Sequence, residues 1–241
     1  MQTVFITGAS RGIGHATAKY FVEHGWRAIT CSRDVVPEGC PVREEHQHIT
    51  ADLRKRENLG FAAAELNRIL DGEPLHALVN NAGYSPKAED GERLGCLDGE
   101  LAVWDDVFAI NFFAPVFFAR TLAKALARGD GAVVNITSIA AHRVHPFAGS
   151  AYSTSKSALL GLTRELAADL APHGIRVNAV CPGEINTAIL SPGTEKLVER
   201  IPLRRLGSPD EVAAVIHYLC SPQSSYVNGA EIPVNGGQDV Y

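Results

Sequence analysis

The sequence predicts an α/β fold in which helices cover both faces of an open, doubly wound parallel sheet. Three observations predict it. Short apolar runs alternate with longer helical patterns along the chain. Several of those runs are almost continuously apolar, as strands buried on both faces are. A glycine-rich turn, TGASRGIG, joins the first run directly to the first helical pattern.

Seven strands are expected in order: TVFIT (3–7), RAITC (27–31), QHITA (47–51), HALVN (76–80), AVVNIT (132–137), IRVNAV (175–180) and AEIPV (230–234). Helices are expected over 12–24, 57–70, 101–127, 151–171 and 209–220. The last opens with Ser208-Pro209-Asp210-Glu211, an N-cap residue followed by proline and two acids in the first turn. Right-handed crossovers wind these elements into one sheet of order 3-2-1-4-5-6-7. No linker, repeat or low-complexity segment divides the chain, so residues 1–241 form a single domain. Two irregular stretches, 84–100 and 184–207, follow strand ends, where open parallel sheets bind ligands.

At 241 residues and 46% hydrophobic composition the chain can bury a large core, which excludes disorder. The formal charge is −5 and no Lys/Arg-rich run occurs, so nucleic acid is excluded as a partner. No apolar run approaches transmembrane length, and MQTVFITGAS lacks a signal-peptide pattern; no membrane partner is expected. Five scattered cysteines without CxxC spacing fit a reduced, cytoplasmic compartment. The histidine pairs His46/His48 and His142/His145 have no further ligands nearby in sequence, and no metal site is expected.

In the glycine loop, Gly8, Gly12 and Gly14 let the backbone turn and approach a ligand, while the helix points free N–H groups and its positive end at that ligand. A pyrophosphate meets that description, and the fold becomes Rossmann-like. The second strand ends TCSRD, where such folds meet the adenosine ribose. Ser32 and Arg33 precede Asp34, and Arg11 adds a second cation, which favours NADP(H) over NAD(H). In the competing reading Arg33 is solvated and Asp34 takes the ribose.

Residues 151–161 read AYSTSKSALLG. Tyr152 and Lys156 stand four apart, on one face of a helix. An ammonium beside a phenol favours the phenolate. Serine and threonine are mediocre helix formers, so this local conflict is one expected near a functional site.

Together these motifs resemble the short-chain dehydrogenase/reductase family, over nearly the whole chain. TGASRGIG is similar to its TGxxxGIG loop, Asn80-Asn81-Ala82-Gly83 to its NNAG motif, Tyr152 and Lys156 to YxxxK, and Pro182-Gly183 follows the sixth strand. The tail PLRRLGSPDEVAAVIHYLCSP resembles that of 3-oxoacyl-acyl-carrier-protein reductases and related sugar or alcohol dehydrogenases. The resemblance implies a tetrad: Asn111 holding a water in a proton relay, Ser138 bonding the substrate carbonyl, Tyr152 as acid–base, and Lys156 binding the ribose and lowering the tyrosine pKa. It implies cofactor contacts at Gly8, Ser10, Arg11, Gly12, Ile13, Gly14, Ser32 and Arg33. Asp52 and Leu53 would meet the adenine, and Asn80, Ala82 and Gly83 the adenosine side. Pro182, Gly183, Ile185 and Thr187 would hold the carboxamide and phosphates.

The function implied is hydride transfer between NADP(H) and a small carbonyl or secondary alcohol (a 3-oxoacyl thioester, ketone or sugar). The alternative of another class is a non-catalytic dinucleotide sensor, against which all four tetrad residues speak. Phe112, Phe113, Phe117 and Phe118 crowd one helix, and the resemblance implies a homo-oligomer, a tetramer or else a dimer. Cys181 is expected to be a small buried residue. Tyr84, His142, His145, Phe147, Glu184 and residues 188–200 are expected around the substrate. His142, Arg143 and His145 lend the pocket mouth positive charge, and the long 84–100 stretch is expected to share the covering role of a short lid.

Overall fold

The structure, a computed structural model, describes residues 1–34, 47–187 and 193–240. Seven parallel strands form one sheet: β1 (Thr3–Thr7), β2 (Arg27–Ser32), β3 (Gln47–Thr50), β4 (Ala77–Asn80), β5 (Ala132–Ile136), β6 (Arg176–Pro182) and β7 (Glu231–Val234). Their order is β3-β2-β1-β4-β5-β6-β7, as the sequence predicts. The helices are α1 (Gly12–Glu23), α2 (Arg56–Leu70), α3 (Leu101–Phe108), α4 (Ala114–Arg128), α5 (Ser150–Leu170) and α6 (Pro209–Cys220).

The period-2 alternation of each strand divides the core in two. Phe5, Ile29, Leu78 and Val133 pack under α2, α4 and α5. Their neighbours Val4, Ile6, Ala28, Val79 and Val134 pack under α1 and α6. An edge-to-face contact between Phe5 and Phe118, 5.4 Å between ring centroids, seats α4 on the sheet. At α6 the Ser208 hydroxyl accepts from the Glu211 N–H while the Glu211 carboxylate accepts from the Ser208 N–H, a complete capping box.

One departure from expectation is mechanically important. The predicted helix 101–127 is broken by a π-helical turn, Ala109–Phe113, between α3 and α4. Such one-turn bulges recur at functional sites, and Asn111 lies within this one. The combined Leu101–Arg128 span is also long and apolar enough, by length and composition, to cross a membrane. Counting unbroken apolar runs misses it because charges sit toward its two ends. Its inner face packs under the sheet through Phe118, Leu122 and Leu126, whereas Phe113 is 51% exposed.

The strand register aligns Asn80 with Asn135, and Ile136 with Val180. The carboxyl ends of β1, β4, β5 and β6 therefore share one edge, and the predicted site residues gather there.

Candidate active site

β1 ends at Thr7, and the chain then turns through Gly8 (φ +70°) and Gly12 (φ +58°), conformations that strain any residue with a Cβ. A Cβ at Gly8 would lie 2.7 Å from the Ala82 Cα, so this loop and the NNAG segment touch backbone to backbone. Arg11, at the N-cap of α1, gives no side-chain cap bond, which leaves first-turn N–H groups for an anion. Gly8, Ser10, Arg11, Gly12 and Ile13 all line the cleft; Gly14 does not. A Cβ there would meet the Gly8 carbonyl oxygen at 2.4 Å and Asn81 Nδ2 at 2.3 Å. Gly14 thus lets α1 close against the Gly8 turn and Asn81, and its side of the helix faces the loop where a cofactor contact was expected.

At the end of β2, the Ser32 hydroxyl donates to the Asp34 carbonyl at 2.6 Å and shapes the turn. Arg33 and Asp34 are exposed and border the same cleft as Arg11. Asp52 and Leu53 border it too, yet the Asp52 carboxylate is clasped by Arg54 through Nη2 at 2.7 Å and Nε at 3.1 Å. That hydrogen bonding to the guanidinium holds Asp52 below the usual carboxylate range.

Asn80 departs from expectation. Its side chain lies between strands, donating from Nδ2 to Asn135 Oδ1 at 2.8 Å, and is not among the residues lining the cleft. Strand alternation turns consecutive residues to opposite directions, so its neighbour Asn81 faces the cleft instead. Asn81 Nδ2 donates to the Thr7 and Gly8 carbonyls at 3.0 Å each, bracing the glycine loop. Ala82 and Gly83 line the cleft as expected.

At its far end stand Ser138 and Tyr152. Ser138, two residues beyond β5, accepts from the Ala140 N–H at 3.2 Å and caps a short 3-10 turn. Tyr152 is in the first turn of α5, and its phenol lies beside the Ser138 hydroxyl. Lys156, one turn on, is 3% exposed and places Nζ 5.7 Å from the Tyr152 ring centroid while donating to the Ile136 carbonyl at 2.6 Å. Burial lowers its pKa to about 8.

The expected depression of the tyrosine pKa by Lys156 is not what this arrangement gives. Burial of the phenol pushes its pKa up, against a smaller downward pull from the Ser138 hydrogen bond; Cys181 and Glu184 add to the rise. The ammonium lies toward the ring and is held by a carbonyl, so desolvation dominates.

Asn111 is fully buried and is not among the cleft-lining residues. Its Oδ1 accepts from the Tyr84 N–H at 2.8 Å, and its Nδ2 donates to the Tyr84 carbonyl at 3.1 Å and the Ser155 hydroxyl at 2.9 Å. A Cβ at Gly83 would sit 3.7 Å from Lys156 Nζ and 3.8 Å from Asn111 Oδ1, so both side chains meet at that glycine. Ser155, passed over in the sequence, is buried and donates to the Tyr152 carbonyl at 2.7 Å.

Pro182, Gly183, Ile185 and Thr187 extend from β6 along the cleft, with Thr187 the nearest side chain to Gly12. Tyr84, Lys87, His145, Phe147 and Glu184 surround the space beside Tyr152. Lys87 is a residue the sequence did not single out. Of the three groups expected to make the mouth positive, the two histidines face carboxylates and the arginine is held by a backbone carbonyl. His142 pairs with Glu231 at 2.8 Å, His145 with Glu184 at 2.6 Å, and Arg143 donates to the Gln238 carbonyl at 2.9 Å. His142 is drawn away from the cleft and, with Cys181 and Glu231, forms a group whose ligand-type atoms all lie within 4.8 Å of one another. Sequence spacing could not reveal that cluster, since it joins three separate segments. Cys181 is buried, and its thiol pKa is pushed up by that burial. Cys40 and residues 188–192 lie outside the described residues.

A dinucleotide fits the cleft. The glycine loop leaves space that a side chain would fill, helix N–H groups are open to an anion, and Arg11 and Arg33 line the end where a ribose would lie. At the other end, two hydroxyls converge where a carbonyl oxygen could rest.

A family profile described as "Enoyl-(Acyl carrier protein) reductase" matches residues 8–239. The chain is 55% identical to the protein FixR of Bradyrhizobium diazoefficiens over 98% of its own length and 86% of that protein's. It is 34% identical to galactitol 2-dehydrogenase (L-tagatose-forming) of Cereibacter sphaeroides, covering 98% and 94%. A solved short-chain dehydrogenase/reductase from Brucella ovis, in complex with a partially ordered NAD, is 51% identical with a TM-score of 0.82, covering 97% of this chain and 99% of that one.

Proposed function

This chain belongs to the short-chain dehydrogenase/reductase family of oxidoreductases, and on that basis we propose that it transfers a hydride between NADP(H) and a carbonyl or secondary alcohol, with Tyr152 as the acid–base. The observation that carries the reading is the convergence of the Tyr152 and Ser138 hydroxyls at the end of a glycine-lined dinucleotide cleft.

When bound, the nicotinamide supplies or accepts the hydride. The chain's residues manage the charge. Reduction turns a carbonyl oxygen into an alkoxide, and the Ser138 and Tyr152 hydroxyls donate to that oxygen as charge develops. Tyr152 then gives up its proton. Lys156 would hold the ribose of a bound dinucleotide, and the Asn111 amide approaches it from the far side of Gly83. In oxidation the same proton moves back.

Arg11 and Arg33 support NADP(H), because both are exposed on the cleft where a 2′-phosphate would lie. The Brucella ovis relative is in complex with a partially ordered NAD, so the reading of NADP(H) for this chain rests on the arginines. The apolar surface around Phe113 supports a homo-oligomer, a tetramer, and the reduced cysteines support a cytoplasmic location. The test is turnover of ketones, 3-oxoacyl thioesters and polyols with each dinucleotide. Higher kcat/KM with NADP(H) is expected; binding of dinucleotide without turnover of any compound would favour a sensor.

A further inference from the structure

The substrate pocket contains a buried carboxylate. Glu184 is 7% exposed and His145 is 8% exposed, and both line the cavity beside Tyr152. His145 Nδ1 accepts the N–H groups of Phe147 and Ala148, each at 3.2 Å, so the ring proton resides on Nε2. That proton points at Glu184 Oε1, 2.6 Å away. The imidazole is therefore the donor and the Glu184 carboxylate the acceptor. The Gln238 side chain accepts from the Glu184 N–H at 3.1 Å and fixes the backbone from which the carboxylate projects.

Lys87 completes the arrangement. It reaches the same cavity from the 84–100 stretch, and its ammonium donates to the Phe147 carbonyl. The charges of Lys87 and Glu184 act on one another, yet the two groups form no ion pair within contact distance among the described residues.

From this geometry we propose that the substrate is a neutral, hydroxylated carbonyl compound or polyol, one of whose hydroxyls donates to Glu184 when its reacting carbon lies against Tyr152. The inference rests on the hydride-transfer reading above and selects among its substrate classes. A buried carboxylate that accepts from one side chain among the described residues is costly unless ligand donors complete its hydrogen bonding. An acyl chain in this space would leave Glu184 undersatisfied, whereas a substrate hydroxyl satisfies it. A carboxylate set against Glu184 is repelled, and so is an ammonium set against Lys87, so the group that meets each charge in this pose is a neutral hydroxyl. In the reductive step, hydride adds to the carbonyl carbon and the Tyr152 proton to its oxygen. The nicotinamide is thereby oxidised and the carbonyl reduced to an alcohol.

The test compares ketones matched in chain length, with and without a hydroxyl beside the carbonyl, together with galactitol and sorbitol in oxidation and acetoacetyl thioester in reduction. Binding of the two polyols to the dinucleotide complex is followed separately by the fluorescence of the reduced cofactor. Hydroxylated compounds are expected to lead in kcat/KM, and Glu184→Leu to lower the ratio of their kcat/KM to that of the plain ketone about 100-fold. Glu184→Gln, which keeps an acceptor, should lose less. Equal or better turnover of the thioester or plain ketone, with no response to Glu184→Leu, would overturn the proposal. So would absence of both turnover and binding of every hydroxylated compound. Glu184-dependent polyol binding without hydride transfer would uphold the substrate class and overturn the redox reading instead.

Discussion

Asn111 donates from Nδ2 to the Ser155 hydroxyl over 2.9 Å, tying the π-helical turn to the helix that carries Tyr152. Ser155 in turn donates to the Tyr152 carbonyl, so the position of the phenol is set by a residue that does not line the cleft. Ser155 is thus a positioning residue. Ser155→Ala is expected to lower kcat about tenfold, a cost near the 1.4 kcal/mol of one lost hydrogen bond, with KM for the dinucleotide unchanged. Ser155→Thr, which keeps the hydroxyl, should restore most of it. Steady-state kinetics that show equal losses for both variants would count against the positioning role.

The two arginines at the ribose end predict a selectivity change. Arg33→Ala should lower kcat/KM for NADPH by about tenfold and leave NADH within about twofold, as expected for loss of one charge-assisted contact. An equal effect on both cofactors would place Arg33 in solvent and return the ribose to Asp34.

Asn80 and Asn81 should separate stability from binding. Asn80 belongs to a buried chain running through Asn135 to Thr163, whose links are 2.8 and 3.0 Å. Asn80→Ala is expected to cost about 1–3 kcal/mol in urea unfolding, as breaking a buried hydrogen bond does, without changing dinucleotide affinity. Asn81→Ala should weaken that affinity, because it loosens the Gly8 turn.

Lys156 predicts an unusual pH dependence of stability. Its folded pKa is about 8 against 10.5 for the free side chain. The unfolded chain therefore binds the extra proton between those values, and stability rises with pH across that window, by about 3 kcal/mol at full effect. The stabilising contribution is complete above 10.5 and is lost as pH falls through 8. Denaturant melts of the dinucleotide-free protein at pH 7.5 and 9.5 should show wild type gaining stability relative to Lys156→Met, since the buried thiols that lose stability as pH passes 9 are common to both. Parallel behaviour of the two proteins would refute it.

The 84–100 stretch clasps the segment that carries His145. Arg93 donates to the Ala148 carbonyl at 2.9 Å and the Ser150 hydroxyl at 3.1 Å, and Ser150 N–H donates to the Leu94 carbonyl at 2.8 Å. Arg93→Ala is expected to raise KM for the carbonyl substrate several-fold, on the scale of lost positioning contacts, and leave dinucleotide KM alone. Unchanged substrate KM would deny this stretch its covering role.

The seven strands and the main helices were legible in the chain because period-2 and period-3.6 patterns are local properties, and the sheet order followed from crossover rules and the fold they imply. Residues fixed by a local motif, such as Tyr152, Lys156 and Gly12, fell where spacing placed them. What spacing could not show depends on long-range placement. The pairing of His145 with Glu184 spans 39 positions, and that of Asn80 with Asn135 spans 55. The π turn at Asn111 has no local signal at all, since it answers to packing against Tyr84 and Ser155. The direction of the Tyr152 pKa shift was misjudged for a related reason: sequence shows the neighbouring charge but not the burial that outweighs it.

The central claim is that Tyr152 moves the proton. Its most direct test is Tyr152→Phe, with reduced-dinucleotide oxidation and cofactor affinity both measured on the same preparation. The rate should fall by about 10²- to 10⁴-fold, the range for losing a positioned acid–base, while affinity stays within about twofold. Turnover at the wild-type rate would contradict the account.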